Sequence, residues 1–283
     1  LVAPESAASS TTAWGSGAEE SETGETSLLD KAAIPQSGAD GSLRYTVGID
    51  LPAFRGLEPD VSLDFDSSRR SKLTAGYQGW LGQGWGLSGF DVIERQRQRG
   101  GVASYTSEDV FVFNGIELVP CQSGSVSPSC LSGGNYSTET ESYLRIKFDT
   151  ALNVWEVTEK SGTKSTFKPI GTWGPGSGDA DLANRYRWMI AQTIDVHGNT
   201  VNYTHACPQM PVGYPQLIEY GPYKVEFFAE TRPDSILMAN GKGISTTNLR
   251  LKTVRTSVSG TPIAAWKINY EQAPVSGITR LAS

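Results

Sequence analysis

The stretch that decides the fold reads Asp109-Val-Phe-Val-Phe113, then Asn114-Gly115, then Ile116-Glu-Leu-Val119. Two short runs of mostly apolar residues, rich in Val and Phe, flank an Asn-Gly pair. Asn-Gly readily supplies the two positive φ angles of a type I′ turn, and that turn matches the twist of two antiparallel strands. The stretch therefore predicts a tight β-hairpin.

Similar strand-turn-strand units lie on both sides of this hairpin. Upstream, apolar residues alternate with polar or small ones over residues 43–51 and 61–65, which predicts strands with one apolar face. Downstream, further strands are predicted over residues 144–148, 154–157, 165–167, 186–194, 201–203, 217–220, 225–228, 249–258 and 264–270. No segment has a helical period of adequate length, and the turns are unequally spaced, so a strict repeat is not supported. The predicted fold is all-β, an antiparallel, hairpin-rich sheet or sandwich.

The composition agrees with a fold of strands and turns. The 283 residues include 31 Gly and 15 Pro, which is far more turn formers than a helical protein tolerates. The net charge of -6 repels phosphate backbones, so we do not expect nucleic acid as a partner. No stretch approaches the roughly 18 apolar residues that a membrane span needs.

Two regions are predicted along the chain. Residues 1–38 are rich in Ser, Thr, Gly and Glu, and we expect a disordered acidic tether because they have too few apolar groups to offset their ordering entropy. The alternative is that Leu28, Leu29 and Ile34 dock on the folded domain. Residues 39–283 are predicted to form one β-domain. A sequence that opens without Met is compatible with an export signal already removed, which favours a secreted protein.

The cysteines predict one disulfide. Cys121 and Cys130 bracket a short Ser/Gly/Pro segment whose ends can easily meet. In an oxidising compartment, closing this loop would contribute about 2.5 kcal/mol by the chain-entropy model. The alternative is two free thiols in a cytosolic loop. Cys207 is left over and is interpreted as a structural free thiol.

The sequence predicts no catalytic, cofactor-binding or metal-binding residue. His197 stands in an Asp-Val-His-Gly-Asn run that is typical of a turn. His205 and Cys207 share a strand face and could begin a zinc site, but no second Cys/His pair completes four ligands. Asp64 and Asp66 alternate on a strand and are interpreted as a solvated face rather than a cation site. Nucleophile-elbow and P-loop motifs are both missing from the sequence, so we expect a protein that is not an enzyme.

A glycine-tryptophan box, Gly82-Gln-Gly84-Trp85-Gly86-Leu87, is interpreted as structural. Glycine at every second position rules out a helix and leaves aromatic rings room to lie against bare backbone. The rival hypothesis is a secreted carbohydrate-binding or carbohydrate-processing β-domain, because flat indoles make stacking platforms for sugars. Its candidate platforms are Trp80, Trp85 and Trp173.

Three arginines, Arg95, Arg97 and Arg99, alternate on one predicted strand face. Charge of this kind can keep an edge strand from aggregating. The functional alternative is an interaction ridge that contacts an acidic neighbouring domain.

Several segments together resemble a known family. They are Gly48-Ile-Asp-Leu-Pro52, Leu57-Glu-Pro-Asp-Val-Ser-Leu-Asp-Phe65, the glycine-tryptophan box, and Tyr105-Thr-Ser-Glu-Asp-Val-Phe111 leading to Asn114-Gly-Ile-Glu-Leu-Val-Pro120. This combination is similar to the amino-terminal domain of the SpvB family, which also opens the B components of insecticidal toxin complexes and many Rhs/YD-repeat toxin proteins. The resemblance runs from about residue 43 to the end of the chain.

The resemblance implies a non-catalytic domain in the shell of a large secreted bacterial toxin-type protein. Its partners would be downstream β-shell domains of the same polypeptide and other toxin-complex subunits, with no cofactor. The ADP-ribosyltransferase of the family's best-known member lies in a separate domain and is not expected here. Glu139-Thr-Glu141 is a lone match to one element of that enzyme and is interpreted as chance.

Overall fold

The computed structural model describes residues 36–37, 41–69, 79–175 and 178–283. The predicted tether, including Leu28, Leu29 and Ile34, lies outside these residues except for Gln36–Ser37. Those two residues pair with β-strand residues Leu43 and Arg44, although they lie within the predicted tether.

The described part of the chain contains nineteen β-strands. They are β1 (Gln36–Ser37), β2 (Leu43–Gly48), β3 (Ser62–Asp66), β4 (Trp85–Leu87), β5 (Val92–Arg97), β6 (Asp109–Phe113), β7 (Ile116–Pro120), β8 (Tyr136–Thr138), β9 (Arg145–Asp149), β10 (Val154–Thr158), β11 (Lys164–Pro169), β12 (Arg187–Ile194), β13 (Thr200–Gln209), β14 (Val212–Tyr220), β15 (Tyr223–Ala239), β16 (Ile244–Val258), β17 (Thr261–Lys267), β18 (Tyr270–Gln272) and β19 (Thr279–Leu281). The all-β prediction is confirmed.

Short helical turns interrupt the strands. They are the α-helix α1 (Pro128–Leu131), a 3-10 helix (Ile170–Trp173) and a π-helical turn (Leu182–Tyr186). Each occupies a connection between strands. None of the helices in the described ranges has the length and apolar character needed to cross a bilayer.

The main sheet has thirteen strands, and eight of them close on themselves. The order runs β11-β10-β9-β8-β7-β6-β5-β12-β13-β14-β15-β16-β17, and β11 also pairs with β12. Strands β5 to β12 therefore form a closed barrel, while β13 to β17 continue outward as a sheet extension. The closure depends on a pairing between β5 and β12 that places Ile93 opposite Trp188.

The hairpin predicted from Asn114-Gly115 is confirmed as the β6–β7 pair. Asn114 has a φ of 49° and Gly115 a φ of 88°, as a type I′ turn requires. The Asn114 side chain also fixes the neighbouring strand. Its Oδ1 accepts a 3.0 Å hydrogen bond from the Val92 N–H, and its Nδ2 donates to Asp91.

Aromatic side chains fill the closed barrel. Trp155 and Trp188 are fully buried, and the Trp155 ring stacks on Phe148 at 4.5 Å between centroids. Phe111 meets both indoles edge-on, at 4.9 Å and 5.6 Å. Such edge and stacked contacts add roughly 0.5 to 1.5 kcal/mol per pair to the burial term. The barrel interior is thus a packed core.

The remaining strands pack on the same core. A four-stranded sheet, β1-β2-β3-β4, and the two-stranded C-terminal hairpin, β18–β19, complete the fold. Leu87 of the four-stranded sheet, Ile93 and Val254 of the main sheet, and Trp80 from the segment before β4 join one buried cluster. Most buried apolar residues of the described ranges therefore form one cluster, and Ala103, Tyr105, Leu182 and Tyr186 form a second, smaller one.

Candidate interaction surfaces

The glycine-tryptophan box is bare backbone on which other parts of the protein pack. A Cβ on Gly82 would lie 2.5 Å from the Leu281 backbone nitrogen, and one on Gly84 would lie 2.6 Å from the Phe65 ring. Gly84 also has a φ of +80°, which L side chains rarely adopt. A Cβ on Gly86 would meet the Arg69 guanidinium. This packing supports the structural interpretation of the box.

The buried tryptophan of this region is Trp80 rather than Trp85. Trp80 is 5% exposed, and its Nε1 donates a 2.7 Å hydrogen bond to the Gly213 carbonyl of β14. Trp85 is half-buried and packs against Phe65 and Tyr45, with ring centroids 5.4 Å and 6.2 Å apart. Both tryptophans follow a glycine directly, so the sequence does not indicate which of the two is more deeply buried.

The C-terminal hairpin is clamped against this box. The Arg232 guanidinium, 3% exposed, donates a 2.6 Å hydrogen bond to the Gly79 carbonyl and pairs with Asp234 at 3.1 Å. Asp234 in turn accepts a 2.8 Å hydrogen bond from the Thr279 N–H of β19. These donors hold the pKa of Asp234 at about 2, against the desolvation that raises it. This ion pair therefore ties β15 and β19 to Gly79, three residues before the box.

An open cleft of about 390 Å³ lies between the box and the C-terminal hairpin. Trp85 and Gln83 line it together with Arg69 and an ion pair between Arg280 and Glu271 at 2.8 Å. Arg69 donates to the Asp64 carbonyl at 2.8 Å, so the cations of the cleft already have protein partners.

The three tryptophans of the carbohydrate hypothesis are not brought together. Trp80 is buried, and Trp173 packs edge-on against His205 at 4.6 Å. Trp85 lies at the cleft. A stacking platform built from all three rings is therefore not formed.

The arginines of the predicted ridge have three different environments. Arg95 points toward the barrel core, where its guanidinium lies 4.9 Å from the Phe111 ring centroid and donates to the Arg185 carbonyl. Arg97 forms an exposed ion pair with Glu108, and Arg99 lies in the turn beyond β5 with a φ of 64°. β5 is not an outer strand of the sheet, because it pairs with β6 over Ile93–Arg97 and with β12 over Val92–Glu94, so the interpretation as an edge strand is wrong for the strand as a whole. Among the described strands, its end from Arg95 to Arg97 pairs with β6 alone. A single ridge of three exposed cations is not formed.

Cys121 and Cys130 form a disulfide. The loop that they close is also held by Glu141, whose carboxylate accepts hydrogen bonds from the hydroxyls of Ser127 and Ser129. These bonds lower the pKa of Glu141 to about 2. The Glu139-Thr-Glu141 match thus contains a structural carboxylate. Its role could not be predicted from the sequence, because its serine partners lie in a separate loop.

The two histidines are structural. His205 is 2% exposed, its Nε2 lies 2.7 Å from the Ile190 carbonyl oxygen, and burial lowers its pKa to about 4. Asp195 accepts hydrogen bonds from the N–H groups of His197 and Asn199, both at 2.8 Å, in the turn that the sequence predicts. Burial raises the pKa of the Cys207 thiol to about 11, so this thiol is protonated at neutral pH.

The carboxylates of β3 have protein partners. Asp64 accepts hydrogen bonds from Ser62 and Ser88, and Asp66 pairs with Arg44 at 3.3 Å. Within the described residues, no cluster of three or more His, Cys, Asp or Glu side chains could hold a metal ion.

The sheet extension ends in an open edge at β17. Among the described strands, β17 pairs with β16 on one side and with none on the other. Pro262 lies near its start beside a β-bulge, a usual place for proline in an edge strand. The following residues, Ile263 to Trp266, carry no charge, and Ile263 is 49% exposed. This is an accessible template for another strand.

Comparisons with solved structures show the same fold in toxin proteins. The N-terminal domain of effector protein SpvB from Salmonella typhimurium strain LT2 matches with a TM-score of 0.63 and 15% identity, over 84% of this chain and 97% of that one. A chain of the Photorhabdus luminescens Tc holotoxin pore matches with a TM-score of 0.64 and 14% identity, and a chain of the TcdB2-TccC3-TEV crystal structure with 0.66 and 14%. Each Tc match covers 88% of this chain but 15% of the Tc chain.

Sequence comparison extends this result to a family. No curated protein sequence matches the chain. The family model described as Salmonella virulence plasmid 65kDa B protein, SpvB, matches residues 37–210, which is more than half of the 283 residues. The matched region contains the box, the β6–β7 hairpin and every strand of the closed barrel, so the chain belongs to the SpvB family.

Proposed function

We propose that this chain is a non-catalytic structural and interaction domain in the shell of a large, secreted bacterial toxin-type protein. Its partners are downstream β-shell domains of the same polypeptide and, beyond them, other toxin-complex subunits. The role requires no cofactor, metal ion or nucleic acid. Support comes from the family membership and from the fold shared with chains of Tc toxins that are several times longer.

The observation that carries the proposal is the open edge of β17. A closed barrel has no free edge, yet five further strands continue from it and stop at a strand whose outer backbone groups have no partner among the described strands. Strand addition at such an edge satisfies the backbone of both strands at once. A shell built from continuous β-structure would use this edge to join the next strands.

The buried groups argue against catalysis as the role of the barrel. Its interior is filled by rings such as Trp155, Trp188 and Phe111, which leaves no room for a substrate there. His205 is neutral and inaccessible at neutral pH, and the Cys207 thiol is protonated. These are properties of packing residues rather than of general bases or nucleophiles.

Hydrogen exchange tests this proposal. Amide exchange is measured in the 283-residue chain and in the longer polypeptide that contains it, and we expect the β17 amides to exchange at least about tenfold more slowly in the longer protein. The lysine variant Ile263→Lys should reduce that protection, whereas Ile244→Lys, at a comparably exposed position of β16, should not. Equal β17 exchange in both proteins would contradict the role of this edge.

A glycan array separates the proposal from the carbohydrate alternative. The cleft beside Trp85 is the place where a sugar would bind. Binding that is lost in Trp85→Ala, with folding retained, would favour the alternative.

A further inference from the structure

A second surface lies on the disulfide loop and is unusually poor in charge. Residues 118–138 contain no Asp, Glu, Lys or Arg. At the chain average of 19% charged residues, a stretch of this length would carry about four. The charge-free stretch includes β8, α1 and the whole loop between Cys121 and Cys130. Depletion of charge is the compositional signature of the centre of a protein interface.

The loop is held rigidly on the barrel. Besides the disulfide, the Cys121 N–H donates to the Asn135 carbonyl at 2.9 Å, and the Ser127 hydroxyl lies 3.1 Å from that of Ser137 on β8. The Ser129 hydroxyl donates to Glu141 at 2.5 Å. A surface fixed in this way loses little conformational entropy when a partner binds.

Apolar side chains nevertheless point outward from this loop. Val126 is 85% exposed and Leu131 is 73% exposed. The two residues are linked through the backbone, because the Leu131 N–H donates a 2.9 Å hydrogen bond to the carbonyl of Ser127, the residue after Val126. Val119, 43% exposed, is the register partner of Ser137, whose hydroxyl contacts the loop. The three side chains Val119, Val126 and Leu131 are named the loop face. None of the three belongs to the buried core, since each is at least 43% exposed in this chain.

We propose that the loop face is a preorganised docking surface for an apolar β-surface in the downstream part of the same polypeptide. The inference rests on the proposed function. Three side chains of this size offer roughly 300 Å² of apolar area. A separate protein needs about 800 Å² per partner for a stable complex, so the loop face is too small for that. A tethered partner is present at a high effective concentration and needs far less area, which makes a neighbouring part of the same chain the fitting occupant.

Hydroxyl-radical footprinting of the 283-residue chain and of the longer polypeptide tests the occupant. We expect oxidation of Val126 and Leu131 to fall several-fold in the longer protein. Val196 is the matched control, because it is 66% exposed and lies in the turn after β12, beside Gly162 and outside the charge-free stretch 118–138. Its oxidation should be the same in both proteins.

A pair of matched variants completes the experiment. Val126→Asp and Val196→Asp should leave the melting temperature of the 283-residue chain unchanged, because both positions are exposed. In the longer polypeptide, Val126→Asp should restore the oxidation of Leu131, while Val196→Asp should not.

Two outcomes would overturn the inference. Equal oxidation of the loop face in both proteins would show that nothing covers it. Self-association of the 283-residue chain that Val126→Asp abolishes would identify a second copy as the occupant instead. Protection of β17 without protection of the loop face would sink this inference and leave the shell function standing, whereas β17 exchange unchanged in the longer protein would count against the proposed function itself.

Discussion

Between pH 7 and pH 5, acid should weaken this fold chiefly through His205, because the carboxylates with lowered pKa values, such as Asp234 and Glu141, lose their contribution at lower pH. The His205 imidazole is buried against Trp173 and Phe90, its Nε2 lies 2.7 Å from the Ile190 carbonyl, and its Nδ1 has no hydrogen-bond partner. Burial penalises the charged form and lowers the pKa from 6.5 to about 4 in the folded protein. The unfolded chain therefore binds a proton at a higher pH than the folded chain does.

The sign and size of the effect follow from this difference. Above about pH 6.5 both states are neutral and the contribution is fully present. As the pH falls from 6.5 toward 4, the unfolded state gains a proton that the folded state refuses, so stability is lost. With 1.36 kcal/mol per pKa unit, the full loss is about 3 kcal/mol, of which about 2 kcal/mol falls between pH 7 and pH 5.

Urea unfolding at several pH values between 5 and 7.5, followed by tryptophan fluorescence, measures this slope. In His205→Gln, which keeps an N–H donor for Ile190 but cannot titrate, the free energy of unfolding should become nearly independent of pH over that window. The chain has two histidines, and His197 in its exposed turn is the matched control. If His205→Gln retains the wild-type slope, or if His197→Gln removes it, the buried imidazole is not its source.

Three further predictions concern stability. Trp80→Ala should lower the free energy of unfolding in urea by about 3 to 5 kcal/mol, because it empties a buried site and leaves the Gly213 carbonyl without its donor. Trp85→Ala should lower it by about 1 to 2 kcal/mol, and the reverse order would show that Trp85 is the more important packing residue. Protein exported to an oxidising compartment should gain two hydrogens on reduction in mass spectrometry, and Cys121→Ser should lower its unfolding free energy by about 2.5 kcal/mol; two free thiols in such protein would contradict this. Removal of residues 1–35 should shift the melting temperature by no more than about a degree or two in calorimetry. A large decrease in the melting temperature would mean that this segment docks on the folded domain.

Local signals in the sequence predicted the hairpins. Asn114-Gly115 encodes its own turn geometry, so the β6–β7 pair required no information from the rest of the chain. Barrel closure could not be predicted in this way, because the pairing of Ile93 with Trp188 joins segments far apart in sequence that share no pattern. The length of β15 was also missed, since Pro233 interrupts the apolar pattern, and the structure accommodates it where the register shifts between Thr231 and Ile236.

The surfaces were harder to predict than the strands. The alternation of Arg95, Arg97 and Arg99 correctly indicates a strand, but periodicity cannot show which face is inside. Ile93, two positions before Arg95, lies on the same face of β5 and is completely buried. Its apolar side chain was the sequence signal that Arg95 points inward. The loop face could not be predicted, because Val126 and Leu131 lie in a Ser/Gly segment without any hydrophobic period.

The closed barrel sets an order for folding during synthesis. Strands β5 to β11 pair with their neighbours in sequence, so each hairpin can form as soon as it is made. Strand β12 is different, because it pairs with both β5 and β11 and is the last strand needed to close the barrel. Until Ile194 has been synthesised, the meander keeps two unpaired edges that other chains can join. Nascent chains halted before that residue should therefore be the aggregation-prone ones, and the strands of the extension should add one at a time only after the barrel has closed.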